Sequence, residues 1–498
     1  MTNTFMNGLK SATNYTHTEN GAITHKSTLN ALYDMFAMGG AYRSRSENDC
    51  IVLFKNAYAE DPVYALKCLF YLRDIRGGQG ERRFFRTCMH WLAKNHSEAA
   101  RRNLQLIPEY GRWDDLYCLV DTPLEKDAFS FIKKQLALDL DCKTPSLLAK
   151  WLKSENTSSA ESKALGYKTR KYLNISPKQY RKVLSILRSR INILEKLMSE
   201  NRWDEIEFDK IPSRAGFIYK NAFARHDLER AKSDRKVQTY AEFAKDETKT
   251  VNAKTLYPYE CVAEVFKYRR GWSTMNMTAT DRAMINKYWD NLADYIKGAE
   301  FNGLAVVDTS GSMVGTPLNV AISLGMYCAE KAKGPYHNHF ITFSEYPNFV
   351  QVEGVDFVDK VNRMSSAGWS MNTNLEAVFD MLLNVAIRNN CTQDEIPQNL
   401  IIISDMEFDA ARGYARSRNN DTLVEGIAHK WAQCGYKMPH IVFWNVDARQ
   451  NNIPMTDKNG ISFVSGFSPV LYEQIMKGKT ATALMYDKLN SERYKPIK

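Results

Sequence analysis

No apolar stretch of this 498-residue chain approaches the roughly 20 residues that a membrane-spanning helix needs. The opening residues Met1-Thr2-Asn3-Thr4-Phe5 lack the charged and apolar regions of a secretory leader, so the expectation is a cytoplasmic protein without a membrane partner. The nine cysteines are scattered and include no C-x-x-C pair, which points to a reducing compartment and away from a disulfide framework or a zinc site. There is no G-x-x-x-x-G-K-[ST] segment, which argues against nucleotide hydrolysis on a phosphate-binding loop. A Ser-His-Asp spacing and paired catalytic carboxylates are also missing, so the expected function is not enzymatic. A metal-dependent nuclease would need two bridged ions or a general base. Glu407 and Asp409 are the only extra carboxylates near Asp405, and both are expected on a solvated loop. His337 and His339 alternate onto one face of a possible strand without a Cys or H-E-x-x-H companion, and read as structural.

Positive charge is present but unevenly divided. Residues 301–498 hold 18 Lys and Arg against 20 Asp and Glu, a net of −2, whereas residues 1–300 hold 49 against 37, a net of +12. The asymmetry predicts a polyanion-binding first part joined to a near-neutral second part. A solvated lysine-rich surface is the alternative. The mixture of arginine and aromatic residues in the basic stretches favours nucleic acid, with no sign of DNA specificity.

The apolar pattern changes near residue 300. Before it, the spacing is helical: Ser27–Met38, Asn48–Tyr58, Pro62–Leu72, Arg82–Asn95, Asp127–Leu140 and a long Gln179–Met198. Short amphipathic helices in series predict stacked hairpins, an α-helical repeat of solenoid type (HEAT-like), although no fixed period shows in the letters. Ser154–Lys163 is polar and reads as an exposed loop. After residue 300, strand-like runs alternate with helices: Leu304–Val307, Pro317–Ala332, His339–Phe343, Leu375–Ile387, Leu400–Ser404, Leu423–Cys434, Ile441–Asn445 and Val470–Met476. That alternation predicts a doubly wound parallel sheet. The fold class is therefore α plus α/β, with a helical domain at 1–298 and a parallel-sheet domain at 299–498.

Asp308-Thr309-Ser310-Gly311-Ser312 stands where one such strand ends. One carboxylate and two hydroxyls at i, i+2 and i+4 set three small oxygen ligands around a point, which suits a hard divalent cation. Mg²⁺ takes six oxygens at about 2.1 Å and keeps some waters. The D-x-S-x-S pattern resembles the metal-ion-dependent adhesion site of von Willebrand factor A (vWA) domains. Asn372-Thr373-Asn374 resembles that family's second loop, and Leu400–Ser404 is a second strand ending in an aspartate. The resemblance implies a five-residue site of Asp308, Ser310, Ser312, Thr373 and Asp405, holding Mg²⁺ or another divalent cation. It also implies an open coordination position where a protein partner's carboxylate could bind, the adaptor alternative to an RNA-binding role.

Arg73, Arg76, Arg82, Arg83 and Arg86 surround Gly77, Gly78 and Gly80 in Arg73-Asp74-Ile75-Arg76-Gly77-Gly78-Gln79-Gly80-Glu81-Arg82-Arg83. Two readings stand side by side here: a glycine backbone that lets a phosphate approach, or an interhelical turn whose arginines pair with Asp74 and Glu81. A second cluster comprises Lys163, Lys168, Arg170, Lys171, Lys178, Arg181, Lys182, Arg188 and Arg190, with Tyr167, Tyr172 and Tyr180 interleaved. Cations to reach phosphates and aromatic planes to stack bases are what single-stranded RNA needs. The candidate RNA-binding residues are Arg73, Arg76, Arg82, Arg83, Lys168, Arg170, Lys171, Lys178, Arg181 and Lys182.

Thr18-Glu19-Asn20-Gly21-Ala22, the Arg73–Arg83 segment and Ile107–Leu116, followed by an A-like domain, resemble the TROVE architecture of the Ro RNA-binding proteins. They are more similar still to a second family, with plant, fungal and viral members, that shares the T-E-N-G-A opening. Pro212-Ser213-Arg214-Ala215 and Phe223-Ala224-Arg225-His226-Asp227 also fit that second family. The resemblance implies a ring of helical repeats and a ribonucleoprotein whose partner is small structured or single-stranded RNA.

Overall fold

The computed structural model describes residues 4–191, 193–270, 273–274, 277–296, 301–331, 333–343, 346–366, 373–410, 422–454, 461–475 and 481–498. It is mixed: many helices and one central, mainly parallel sheet. The chain divides into two compact units, neither continuous in sequence: Met1–Cys68 with Ala253–Ser491, and Leu69–Asn252 with Glu492–Lys498. The pattern changes near residue 300, whereas packing divides the chain at these other points.

The first unit is built on six strands. Their order across the sheet is Ile461–Ser465, His440–Asn445, Asn399–Ser404, Gly303–Val307, His339–Thr342 and Asn348–Gln351. All neighbours run parallel except the last pair, where Asn348–Gln351 lies antiparallel to His339–Thr342. Gly303–Val307 is buried at every residue, as a central strand covered on both faces must be. The chain moves from this strand to one side of it, then returns to the other side at Asn399–Ser404. The order of strands therefore reverses between these two neighbours, and the crevice beyond their carboxyl ends is where such sheets take ligands.

The early part of the chain belongs to this unit. The helix Ala31–Met38 lies against the edge strand Ile461–Ser465: the Tyr33 hydroxyl donates to the Phe463 carbonyl at 2.7 Å, and the Gly40 N–H donates to Ser465 Oγ at 3.1 Å. The pattern predicts a helix from Ser27, but it begins at Ala31. Leu29 has φ +67°, and the Asn30 side chain caps the helix by accepting from the Tyr33 N–H. A polar cap that satisfies a free amide decides the start, and apolar spacing does not register it.

All the regular elements described in the second unit are helices. Its helices include Arg82–Asn95, Glu125–Asp141, Ala160–Leu173, Pro177–Arg190 and Ser213–Arg225. The expected single helix over Gln179–Met198 is two: Pro177–Arg190 stops, and Leu194–Ser199 follows. Ser176 opens the first of these with a capping box, its hydroxyl on the Gln179 N–H and the Gln179 side chain on the Ser176 N–H, with Pro177 in the first turn.

Candidate functional site

The strands Gly303–Val307 and Asn399–Ser404 end side by side, so Asp308 and Asp405 emerge together in the crevice of the sheet. Asp308 is fully buried. Its Oδ1 accepts the Ser310 N–H at 2.9 Å and its Oδ2 accepts the Ser404 hydroxyl. Ser310 Oγ and Ser312 Oγ are 3.0 Å apart, and the Ser312 hydroxyl acts to lower the Asp405 carboxyl against its burial. Asp405 Oδ1 accepts the Glu407 N–H at 3.2 Å. Thr373 is buried, and its carbonyl accepts the Asp409 N–H at 3.0 Å. These contacts bring Asp308, Ser310, Ser312 and Asp405 together, while Thr373 bonds Asp409, just beyond Asp405; Asn372 lies outside the described residues.

Burial pushes the Asp308 carboxyl above its usual range, and the neighbouring Asp405 charge adds to the rise. Burial also raises Asp405. Met406, directly after Asp405, sits at φ +68°, a conformation that a side chain makes costly. Among the described residues no three or more His, Cys, Asp or Glu side chains gather as an ion cage. The Asp308 centre has two carboxylates and relies on hydroxyls for its other oxygens. Two buried carboxylates that disfavour each other's charge, with hydroxyl oxygens beside them, fit a hard divalent cation.

Three further residues join this site that sequence reasoning misses. Arg449 Nη2 lies 2.9 Å from Asp405 Oδ2 and 3.0 Å from Glu19 Oε2. Asn452 donates to both Glu407 carboxylate oxygens, at 2.8 and 2.9 Å. Glu407 itself corrects an expectation. It is buried rather than on a solvated loop, and its carboxyl is pushed up to about 7 by burial, with the Asp405 charge contributing.

The T-E-N-G-A segment is what covers Glu407. The Glu19 N–H donates to Glu407 Oε2 at 2.7 Å, and the Asn20 side chain donates to the Glu407 carbonyl at 2.7 Å. The Thr18 hydroxyl donates to the Phe408 carbonyl at 2.7 Å, and Ala410 N–H donates to the Asn20 carbonyl. Gly21 takes φ +87°, a conformation that glycine adopts without a steric penalty, and bridges to Asp409. Ala22 is buried and closes the turn, its N–H donating to Thr18 Oγ1 at 2.9 Å and its carbonyl accepting the Thr18 N–H at 3.0 Å.

The basic candidates lie in the helical unit and separate into two groups. Arg73 is 1% exposed, with Nη2 2.7 Å from Asp115 Oδ2, so it is not available to a phosphate. Arg86 pairs with Asp114 and Asp115 at 2.9 and 2.6 Å. The N–H groups of Gln79, Gly80 and Glu81 go to the carbonyls of Tyr71, Asp74 and Leu72. The glycine loop is thus the interhelical turn, although Arg73 and Arg86 pair with Asp114 and Asp115 rather than with Asp74 and Glu81. Arg76 donates to the Glu109 carbonyl from an exposed position, and Arg82 and Arg83 are exposed.

The second cluster lies on the consecutive helices Ala160–Leu173 and Pro177–Arg190. Gly166 lets the first helix lie against residues 153–155, since a Cβ there would stand 2.9 Å from the Lys153 carbonyl oxygen. Lys168 is held by Asp121 and Glu125 at 2.7 and 2.9 Å, and Arg170 by Glu155 at 2.7 Å. Tyr172 stacks on Phe129 and Tyr180 is buried, so neither offers a free face. Tyr167 is exposed, with Lys171 Nζ 4.9 Å from its ring centre. Lys171, Lys178, Arg181 and Lys182 are exposed and form no ion pair among the described residues.

Residues 18–144 and 142–300 match the family described as Domain of unknown function (DUF2828). The chain belongs to the DUF2828 family. Residues 302–495 of this DUF2828 protein also match Domain of unknown function (DUF7788). Its similarity to Uncharacterized protein L728 of Acanthamoeba polyphaga mimivirus is 32% identity over 507 residues, covering 94% of this chain and 85% of that protein. A crystal structure of the Deinococcus radiodurans RO (RSR) protein aligns with 94% of the chain and 100% of its own, at a TM-score of 0.48 and 14% identity.

Proposed function

We propose that this DUF2828 protein binds RNA without catalysis, in the manner of the Ro proteins its sequence architecture resembles. The reading rests on one observation: Lys171, Lys178, Arg181 and Lys182 stand exposed on two consecutive helices without ion pairs among the described residues, with Lys171 against the exposed ring of Tyr167. Unpaired cations can neutralise phosphates, and an exposed aromatic can stack a base. Arg76, Arg82 and Arg83 extend the cationic surface of the same unit. In the other unit, the vWA-like centre of Asp308, Ser310, Ser312, Thr373 and Asp405 holds Mg²⁺ or another divalent cation. When bound, the ion neutralises the two buried carboxylates.

The test is RNA binding measured across a salt series. For a single strand, the slope of log K against log salt is expected to be about −0.7 per phosphate neutralised. Combining K178E, R181E and K182E should weaken binding and make that slope shallower by about 2. A flat slope for the parent protein, or no loss in the triple variant, would sink the reading. Asp308→Ala should abolish Mg²⁺ binding in a calorimetric titration and leave RNA affinity within about twofold. Loss of RNA binding by a folded Asp308→Ala protein would instead place the ion within the RNA site.

A further inference from the structure

The position of Arg449 raises a question about how the ion site is controlled. One nitrogen, Nη2, serves both the Asp405 and the Glu19 carboxylates, at 2.9 and 3.0 Å. The buried Nε of the same guanidinium has no hydrogen-bond partner. An arginine normally spreads its five donors over its partners; here one nitrogen carries both pairs. Asp405 is almost fully buried, whereas the Glu19 side chain is 39% exposed; its Oε1 accepts the Gln450 side-chain N–H at 3.3 Å, and its backbone N–H is held by Glu407. The guanidinium therefore supplies positive charge to the inner carboxylate while already touching an outer one.

We propose that Arg449 is an internal counter-cation that competes with the divalent ion for Asp405, and that Glu19 of the T-E-N-G-A segment receives Arg449 when the ion binds. This rests on the divalent-ion reading above. Moving from a shared contact to a full Glu19 pair requires only a small rotation, because the Glu19 contact exists already. The exchange keeps the charges balanced: the ion neutralises Asp405, and Glu19 neutralises the displaced guanidinium. Linkage makes the competition reciprocal, so ion binding favours the Arg449–Glu19 pair as much as that pair favours ion binding. The T-E-N-G-A segment thus acts as a positioning element for the ion site.

The experiment is calorimetric titration of the full-length protein with MgCl₂ and, separately, MnCl₂, at one fixed salt concentration. Four proteins are compared: the parent, Arg449→Gln, Glu19→Gln and the double variant. The Arg449 backbone carbonyl keeps its bond from Arg45 whatever side chain follows, and circular dichroism checks the fold. Arg449→Gln should bind the ion about tenfold more tightly, within the usual 5- to 150-fold range of coupled sites. Glu19→Gln should bind it more weakly, because the displaced arginine loses its acceptor. The double variant should match Arg449→Gln alone, since Glu19 acts through the arginine. If the parent binds the ion and Arg449→Gln binds it no more tightly, the competition is wrong and the ion reading stands. If Glu19→Gln shifts the affinity equally in both backgrounds, Glu19 acts by bulk electrostatics and its assigned role fails. Should Arg449→Gln fail to fold, an unchanged affinity in Glu19→Gln alone still overturns the exchange. Absence of ion binding in all four proteins would overturn the ion reading itself.

Discussion

At the scale of single residues, arginine has two incompatible uses in the helical unit. Arg73 is almost wholly buried; its Nε donates to Asp115 Oδ2 at 2.8 Å and its Nη2 stands 2.7 Å from the same oxygen as an ion pair. Asp115 also accepts the Arg112 N–H at 2.9 Å and Arg86 Nε at 2.6 Å, so its carboxylate organises three segments. Removing one partner of such a buried pair leaves the other charge uncompensated, which typically costs about 3–5 kcal/mol. Arg73→Ala should therefore lower the stability of the helical unit by roughly that amount, with Arg86 retaining part of the Asp115 charge balance. Urea unfolding followed by far-UV circular dichroism measures it. A stable Arg73→Ala protein with weakened RNA binding would overturn the structural assignment and return Arg73 to the RNA surface.

At the scale of elements, much of the sheet unit was legible because buried strands leave continuous apolar runs. Leu304–Val307 and Leu400–Ser404 are each within one residue of the observed strand starts, and both end in an aspartate. That made Asp308 and Asp405 visible from sequence. Asn348–Gln351 was missed because an exposed antiparallel edge strand of four residues carries no apolar run. The hairpin of Tyr15–His17 and Ile23–His25 escaped for a similar reason: its pairing is short and its outer strand is largely exposed. Arg449, Glu19 and Asn452 could not be read into the site, since Glu19 and Arg449 meet across more than four hundred residues of chain and neither segment carries a local metal-site pattern. The T-E-N-G-A letters were legible as a signature, but their work required the fold: they satisfy the backbone of Phe408 and Ala410 and the buried carboxylate of Glu407. The basic helices Ala160–Leu173 and Pro177–Arg190 are half legible: their cations stand in the letters, but charge in a sequence does not reveal that Glu155 takes Arg170, or that Asp121 and Glu125 take Lys168.

At the scale of the whole molecule, a segment distant in sequence completes the helical unit. Residues Glu492–Lys498 belong to the same compact unit as Leu69–Asn252, although more than two hundred residues separate them in sequence. Tyr494 is fully buried; its hydroxyl donates to Asp74 Oδ2 at 3.0 Å and its ring stacks on Tyr110 at 5.7 Å. Arg493 Nη2 donates to Asp74 Oδ1 at 2.7 Å, and the Lys498 N–H donates to Asn103 Oδ1 at 2.9 Å. Burial pushes the Asp74 carboxyl up, but hydrogen bonds and charge from Arg493 outweigh it and hold the group below its usual value. A buried aromatic removed from a packed core typically costs about 3–5 kcal/mol, so Tyr494→Ala should destabilise the helical unit by an amount of that order. Deleting residues 492–498 should do so more severely, because it removes Tyr494, the buried Ile497 and the Asp74 partner together. Hydrogen exchange read by mass spectrometry separates the units: protection should fall in peptides from 82–190 and persist in those from 399–404 and 440–445. Unchanged protection across 82–190 in the truncated protein would show that the tail is dispensable to that core.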